Sequence, residues 1–159
     1  MFQFIIAPPQ HLIPGCIQIH HDGKSVVELD ILADEQHEES TPKNTFEEDL
    51  QAAFNAYFFS SGQAFTVPLR LQGSDFQQRV WQALQEIHVG SVLSYGELAE
   101  KLNSSARAVG NACRRNPAPI IVPCHRVVAK TGIGGFAGAT EGLLIEQKRR
   151  LLVHEGVCL

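Results

Sequence analysis

The sequence has no apolar run approaching the ~20 residues that a membrane-spanning helix requires. Its first ten residues lack the basic cluster and small-residue cleavage site of a secretory leader. It has no internal repeat and no CxxC pair, and its four cysteines (Cys16, Cys113, Cys124 and Cys158) show no regular spacing. These absences predict a protein of the cytoplasm, or of the nucleus in a eukaryote, with no membrane role and with free thiols rather than a disulfide set. Cys16 and Cys113 read as small buried apolar residues, and Cys158 carries no signal. A composition 44% hydrophobic and 19% charged excludes a disordered chain, and 159 residues suit one domain or two small ones.

Acid is missing from one place in particular. Lys101 to Lys130 holds six basic residues and no Asp or Glu. The net charge of −4 hides a division: residues 1–66 carry two basic and ten acidic side chains, and residues 67–159 carry eleven basic and seven acidic. This predicts an acidic first domain, 1–66, and a second, 67–159, with a face that binds a polyanion. The rival reading is a solvated basic face with no ligand.

Several elements follow from pattern. Leu12–Ile19 and Ser25–Ile31 read as strands joined by a hairpin at Asp22-Gly23. Residues 33–43 read as a polar loop. A capping box at Thr45–Glu48 opens a helix whose apolar face holds Leu50, Ala53, Phe54, Tyr57 and Phe58, with Ser60-Ser61-Gly62 as its stop. Phe65–Leu71 alternates like a strand. Ser74–Gln77 and Ser94–Glu97 cap two further helices. A third, from about Ala106 to Arg115, follows the polar turn Asn103-Ser104-Ser105, so the last two make a helix-turn-helix or an ordinary helical hairpin. Ile120–Val122 and Val127–Val128 read as strand on either side of Pro123-Cys124-His125-Arg126, and a final helix spans Thr140 to about Val153. The fold class is α+β.

Three features bear on chemistry. On the helix after Ser105, Arg107, Gly110, Asn111 and Arg114 share one face by spacing, beside small residues such as Ala106. A glycine there costs ~1 kcal/mol against alanine, so the face suits close approach to a phosphate-lined groove or to another helix. Cys124 next to His125 can be a nucleophile with a base nearby, or a buried thiol. An ordinary thiol is mostly protonated at neutral pH, and lowering its pKa by ~2 is equivalent to roughly 2.7 kcal/mol, which a histidine and basic surroundings can supply. Cys113, Cys124, His125 and His154 could together hold zinc, though at no standard spacing. The loop Gly132–Gly138 is not a GxGxxG motif, and it reads as a flexible pocket wall rather than a nucleotide cradle.

The motifs Pro123-Cys124-His125-Arg126, Ala106-Arg107-Ala108-Val109-Gly110 and Arg115-Asn116-Pro117 resemble the signature of the O6-alkylguanine-DNA alkyltransferases. Ser94-Tyr95-Gly96, Gly135-Phe136-Ala137-Gly138 and His154-Glu155-Gly156 extend the likeness across roughly residues 74–157. The resemblance implies an N-terminal ribonuclease-H-like sheet-and-helix domain of structural role, followed by a mostly helical, winged-helix-like domain that binds DNA and transfers the alkyl group. It implies single-turnover transfer from O6-alkylguanine, with O4-alkylthymine as a second candidate, to Cys124. It further implies His125 as base through a water, Glu155 as its orienting partner, Asn116 as organiser of the turn and Tyr95 as donor to the guanine edge. Arg107 would fill the place of a flipped base while Ala106, Gly110, Asn111 and Arg114 meet the minor groove. Val127, Phe136, Ala137 and Gly138 would line the pocket. No cofactor, no metal and no obligatory protein partner is implied; the chain would act as a monomer on double-stranded DNA. Three departures stand out: residues 1–66 have no match to the zinc ligands of some members, the link from Tyr95 to Arg107 is shorter than in some members, and Ala137 replaces a frequent serine. A non-catalytic binder of alkylated DNA and a cysteine hydrolase stay open as alternatives.

Overall fold

The computed structural model describes residues 1–33, 36–60 and 63–159, which form two compact units, Met1–Gln72 and Gly73–Leu159. Parts of the expected acidic loop at 33–43 and of the helix stop at 60–62 lie outside the described residues.

The first unit is a three-stranded antiparallel sheet and one helix. Strand β1 (Phe2–Ile6) pairs with β2 (Cys16–His21), which pairs with β3 (Val26–Leu32). Asp22 turns the hairpin as expected: its carboxylate accepts from the backbone of Lys24 and Ser25, and Gly23 takes φ +91°. The strand expected from Leu12 starts only at Cys16, because Pro14 offers no N–H and Gly15 sits at φ +96°. Phe65–Leu71, expected as a strand, makes an isolated bridge instead. Val26 donates to the Pro68 carbonyl and accepts from Arg70 N–H, and Pro68 has no N–H with which to extend the ladder. Helix α1 (Thr45–Phe59) is capped by Asn44 rather than Thr45. The Asn44 side chain accepts from Glu47 N–H, and Glu47 accepts in turn from Lys43 N–H. Ile17, Ile19, Val26 and Leu29 from the sheet and Leu50, Phe54 and Tyr57 from α1 supply the buried core.

The second unit is helical. Helix α2 (Asp75–Gln85) and helix α3 (Tyr95–Lys101) begin at the expected capping boxes, Ser74 with Gln77 and Ser94 with Glu97. Helix α4 (Ala106–Arg114), capped by Ser105, packs on both of them. The α3–α4 turn passes through Asn103 at φ +51°. Buried Trp81 donates from Nε1 to the Ala112 carbonyl at 2.9 Å, tying α2 to α4. Two short strands, β4 (Leu93–Ser94) and β5 (Val127–Val128), pair in parallel. Ile120–Val122, expected as strand, is a tight turn with Ile120 at φ +74°. Helix α5 (Leu143–His154) starts after Gly142 at φ +86° and buries Ile145, Leu151 and Leu152. No helix among the described residues is long and apolar enough to cross a membrane.

Candidate active site

The prolines at 117, 119 and 123 forbid helix after α4, and the chain is wound into a compact loop that Asn116 braces. Its side chain donates to the Val122 carbonyl at 2.8 Å and accepts from Ala118 N–H at 3.0 Å. Cys124 N–H then bonds the Val122 carbonyl at 2.8 Å, and Cys124–Arg126 close a single 3-10 turn. Cys124 is buried. That burial pushes its thiol above the ordinary value, opposed by a hydrogen bond from the Asn116 side chain, the Lys148 charge and the backbone of Cys124 and His125. The resting thiol is therefore protonated, contrary to the lowered pKa expected from the basic surroundings. The arginines that prompted that expectation stand on an exposed helix face or, like Arg126, face a carboxylate.

His125 is wholly buried with its Nε2 2.7 Å from Glu155 Oε1. Glu155 also accepts from Arg126 Nε at 2.9 Å and Nη2 at 3.0 Å, while Arg126 Nη1 donates to the Ile87 carbonyl at 2.7 Å. Burial works to raise the Glu155 carboxyl, but these hydrogen bonds and the adjacent charges overcome it and hold the group at about 2. Burial holds His125 below its ordinary value, against the pull of Glu155. The imidazole is thus neutral, with its proton on Nε2 toward the carboxylate. Nδ1 is then the bare lone pair, and it has no protein partner. A neutral base, the carboxylate that fixes it and a protonated thiol on the residue before it form a set suited to thiol activation.

Cys124 opens onto a cavity of about 290 Å³. Tyr95, Gly110, Asn111, Arg114, Phe136, Ala137 and Gly138 line it as well, so eight of the expected site residues meet there. Tyr95 is half-buried, its hydroxyl 3.4 Å from the Gly135 carbonyl, and burial raises its phenol to about 12. The glycine-rich loop forms one wall. Phe136 and Ala139 exchange backbone hydrogen bonds around Ala137 and Gly138, both at positive φ. Gly134 lets the loop pass the ring: a Cβ there would lie 2.9 Å from Ala129 N and 3.1 Å from Tyr95 Cε2. His125, Glu155, Asn116 and Val127 stand behind the cavity rather than on its wall, and Val127 is wholly buried.

Helix α4 buries Val109, Ala112 and Cys113 and turns Ala106, Arg107, Asn111 and Arg114 to solvent. Gly110 packs on nothing: a Cβ built there meets no atom within 4 Å. Close helix packing therefore does not explain this glycine, and the exposed face stays open to a ligand. Cys113, Cys124, His125 and His154 do not converge as a metal-ligand group among the described residues, and Nε2 of His125 is engaged by Glu155.

Three site residues escaped the sequence. Lys148 on α5 is wholly buried and donates to the carbonyls of Val127 and, at 2.9 Å, Gly135. Burial lowers its pKa to about 8. The available signal was a lysine one turn from Ile145 and Leu152 on an apolar stripe. In the sequence Arg126 stands only within a motif, and nothing there shows that it clamps Glu155. Cys113, read as a core residue, is buried but also lines the cavity beside Cys124.

Comparisons with known proteins show the family. A family model described as 6-O-methylguanine DNA methyltransferase, DNA binding domain, matches residues 75–157. A methylated-DNA–protein-cysteine methyltransferase of Haemophilus influenzae is 37% identical over 147 residues, covering 84% of this chain and 81% of that protein. Its Sulfolobus acidocaldarius counterpart is 35% identical over 143 residues, covering 90% and 88%. The crystal structure of Mycobacterium tuberculosis OGT in complex with DNA superposes with a TM-score of 0.77 at 36% identity, covering 97% of this chain and 92% of that one. The chain belongs to the methylated-DNA–protein-cysteine methyltransferase family.

Proposed function

We propose that the protein repairs alkylated DNA by moving the alkyl group from O6 of a guanine to Sγ of Cys124. The observation that carries this is the cavity itself: of the two buried thiols that face it, Cys124 is the one followed in the chain by a neutral His125 whose proton is directed at Glu155. His125 Nδ1 takes the Cys124 proton through a bridging water, and the resulting imidazolium is stabilised by the Glu155 carboxylate. The thiolate attacks the alkyl carbon. The S–C bond forms as the C–O6 bond breaks, and the electron pair passes to the guanine. Tyr95, protonated with a pKa near 12, donates to the edge of that developing anion. Phe136 walls the base, and the backbone at Ala137 reads it. Asn116 holds the turn.

A base inside a duplex cannot reach a buried thiol, so the damaged nucleotide must leave the stack at a cost of a few kcal/mol. The open face of α4 suits the minor groove. Ala106 and Gly110 allow close approach, Asn111 and Arg114 meet the backbone, and Arg107 fills the vacated position. O4-alkylthymine presents a comparable leaving group and is a second substrate. The product is a thioether, which nothing in the site can hydrolyse, so each monomer acts once and without a cofactor. Intact mass after exposure to duplex DNA holding O6-methylguanine tests this. One added methylene per chain, on Cys124, is expected, and continued release of methanol or an adduct on another cysteine would overturn it.

A further inference from the structure

A second space lies beside the cavity, and transfer of a small alkyl group does not use it. It is a groove of about 790 Å³ between the start of α2 and α4, walled by Phe76, Gln77, Ala108, Ala112 and Arg115. Asn111, Arg114 and Ala137 line both the groove and the cavity, so these three mark the boundary. Arg114 leaves the last turn of α4 and lies flat on the glycine-rich loop: a Cβ on Gly138 would be 3.0 Å from its Nε and 3.7 Å from its Cγ. We propose that Arg114 divides the two spaces and so sets which alkyl groups the protein accepts. Swung aside, it lets an arylalkyl substituent on O6 run into the α2–α4 groove while the reacting carbon stays at Sγ of Cys124. The role rests on the alkyl-transfer reading. The bonds made and broken are those of that reaction, and only the group on the reacting carbon is larger.

Size, chemistry and mobility support the assignment. The cavity, at about 290 Å³, falls just short of the ~300–1,000 Å³ of pockets that take drug-sized ligands. It therefore suits guanine with a small substituent, and a longer one has to extend beyond it. The groove offers apolar surface there: Phe76 is half-buried, and Ala108, Ala112 and Ala137 present methyl groups. An aromatic ring packs well against another at an offset or edge-on, which selects an aryl extension over a charged one. Little fixes Arg114 in place. Its side chain is exposed, and among the described residues its guanidinium makes no ion pair or hydrogen bond. Exposed side chains change rotamer within nanoseconds, so displacement loses only the contact with Gly138.

Single-turnover rates with two free bases, O6-benzylguanine and O6-(biphenylmethyl)guanine, test this, with the adduct placed on Cys124 by intact and peptide mass. The readout is the biphenylmethyl-to-benzyl rate ratio within each variant, so a general loss of activity or of folded protein cancels. Arg114→Ala should raise the ratio about tenfold, the low end of what one pocket contact discriminates. Adding Ala108→Leu, which fills the groove and leaves the cavity wall alone, should cancel that gain. The assignment is overturned if Arg114→Ala leaves the ratio unchanged or lowers it, or if the gain persists in the double variant. Absence of any Cys124 adduct from the benzyl compound, in wild type and variants alike, would strike the alkyl-transfer reading itself.

Discussion

Replacing Glu155 with glutamine keeps the shape of the side chain and removes its charge. The carboxylate is 1% exposed and faces both His125 and the Arg126 guanidinium. In the folded protein its pKa lies at about 2 against an ordinary 4.5. That gap corresponds to about 3 kcal/mol of stability at neutral pH. The sign follows from the direction: a depressed carboxyl stabilises fully above its unfolded value and loses that contribution as pH falls toward the folded one. About 2 kcal/mol of it is gone by pH 3. Glu155→Gln should therefore cost about 3 kcal/mol at pH 7, at the low end of the range for leaving one partner of a buried pair unmatched. The difference from the wild type should shrink on acidification. Chemical denaturation of both proteins between pH 7 and pH 3 measures this directly. Alkyl transfer should slow by about a hundredfold or more, since the imidazolium formed on His125 loses its counter-charge. A stability difference below 1 kcal/mol at pH 7, or one that does not change with pH, would refute the account of this cluster.

Arg107→Ala should slow repair of duplex DNA at saturating concentration far more than reaction with a free benzylated guanine base, which needs no flipping. Full recovery of the single-turnover rate at saturating duplex would reduce Arg107 to a phosphate contact. Lys148→Met removes both the donor to the Val127 and Gly135 carbonyls and a charge that favours the Cys124 thiolate. The rate with free base should fall at least tenfold at neutral pH and its rise with pH should move to higher pH, whereas a purely structural lysine would leave the profile in place.

Local signals were legible where one residue settles one bond. The boxes at Ser74 and Ser94 were visible because a hydroxyl three residues before Gln or Glu can satisfy two helix-end donors at once. The Asp22-Gly23 hairpin was visible for the same reason. Strand β1 was not: Phe2–Ile6 is short, and only pairing with β2 makes it a strand. Ile120–Val122 misled because an apolar run reports burial, not extension, and Ile120 sits in the left-handed region between two prolines. At the site, Cys124, His125 and Glu155 were legible through resemblance. Lys148 was not, because a periodicity reading assigns every lysine to solvent. Its burial is set by two carbonyls, at Val127 and Gly135, that are brought to it only by the folded loop.

The presence of Cys113 in the same cavity bears on why Cys124 is the proposed acceptor. Both thiols are buried, and burial pushes both upward, Cys113 to about 12. Both feel the Lys148 charge. Low dielectric and a nearby cation are therefore common to the two and cannot select between them. The difference lies in donors. Cys124 has the Asn116 side chain and the backbone of the 3-10 turn to receive charge as it forms on sulfur, and the next residue in the chain is the neutral histidine that can take the proton. Cys113 sits inside α4, where backbone donors are spent on the helix itself, and its proximity to Cys124 adds a charge that opposes its own ionisation. A thiolate at Cys124 further disfavours one at Cys113, so the cavity holds at most one nucleophile at a time. On the proposed function, the turn that Asn116 and the prolines impose is what singles out Cys124 as the reactive cysteine.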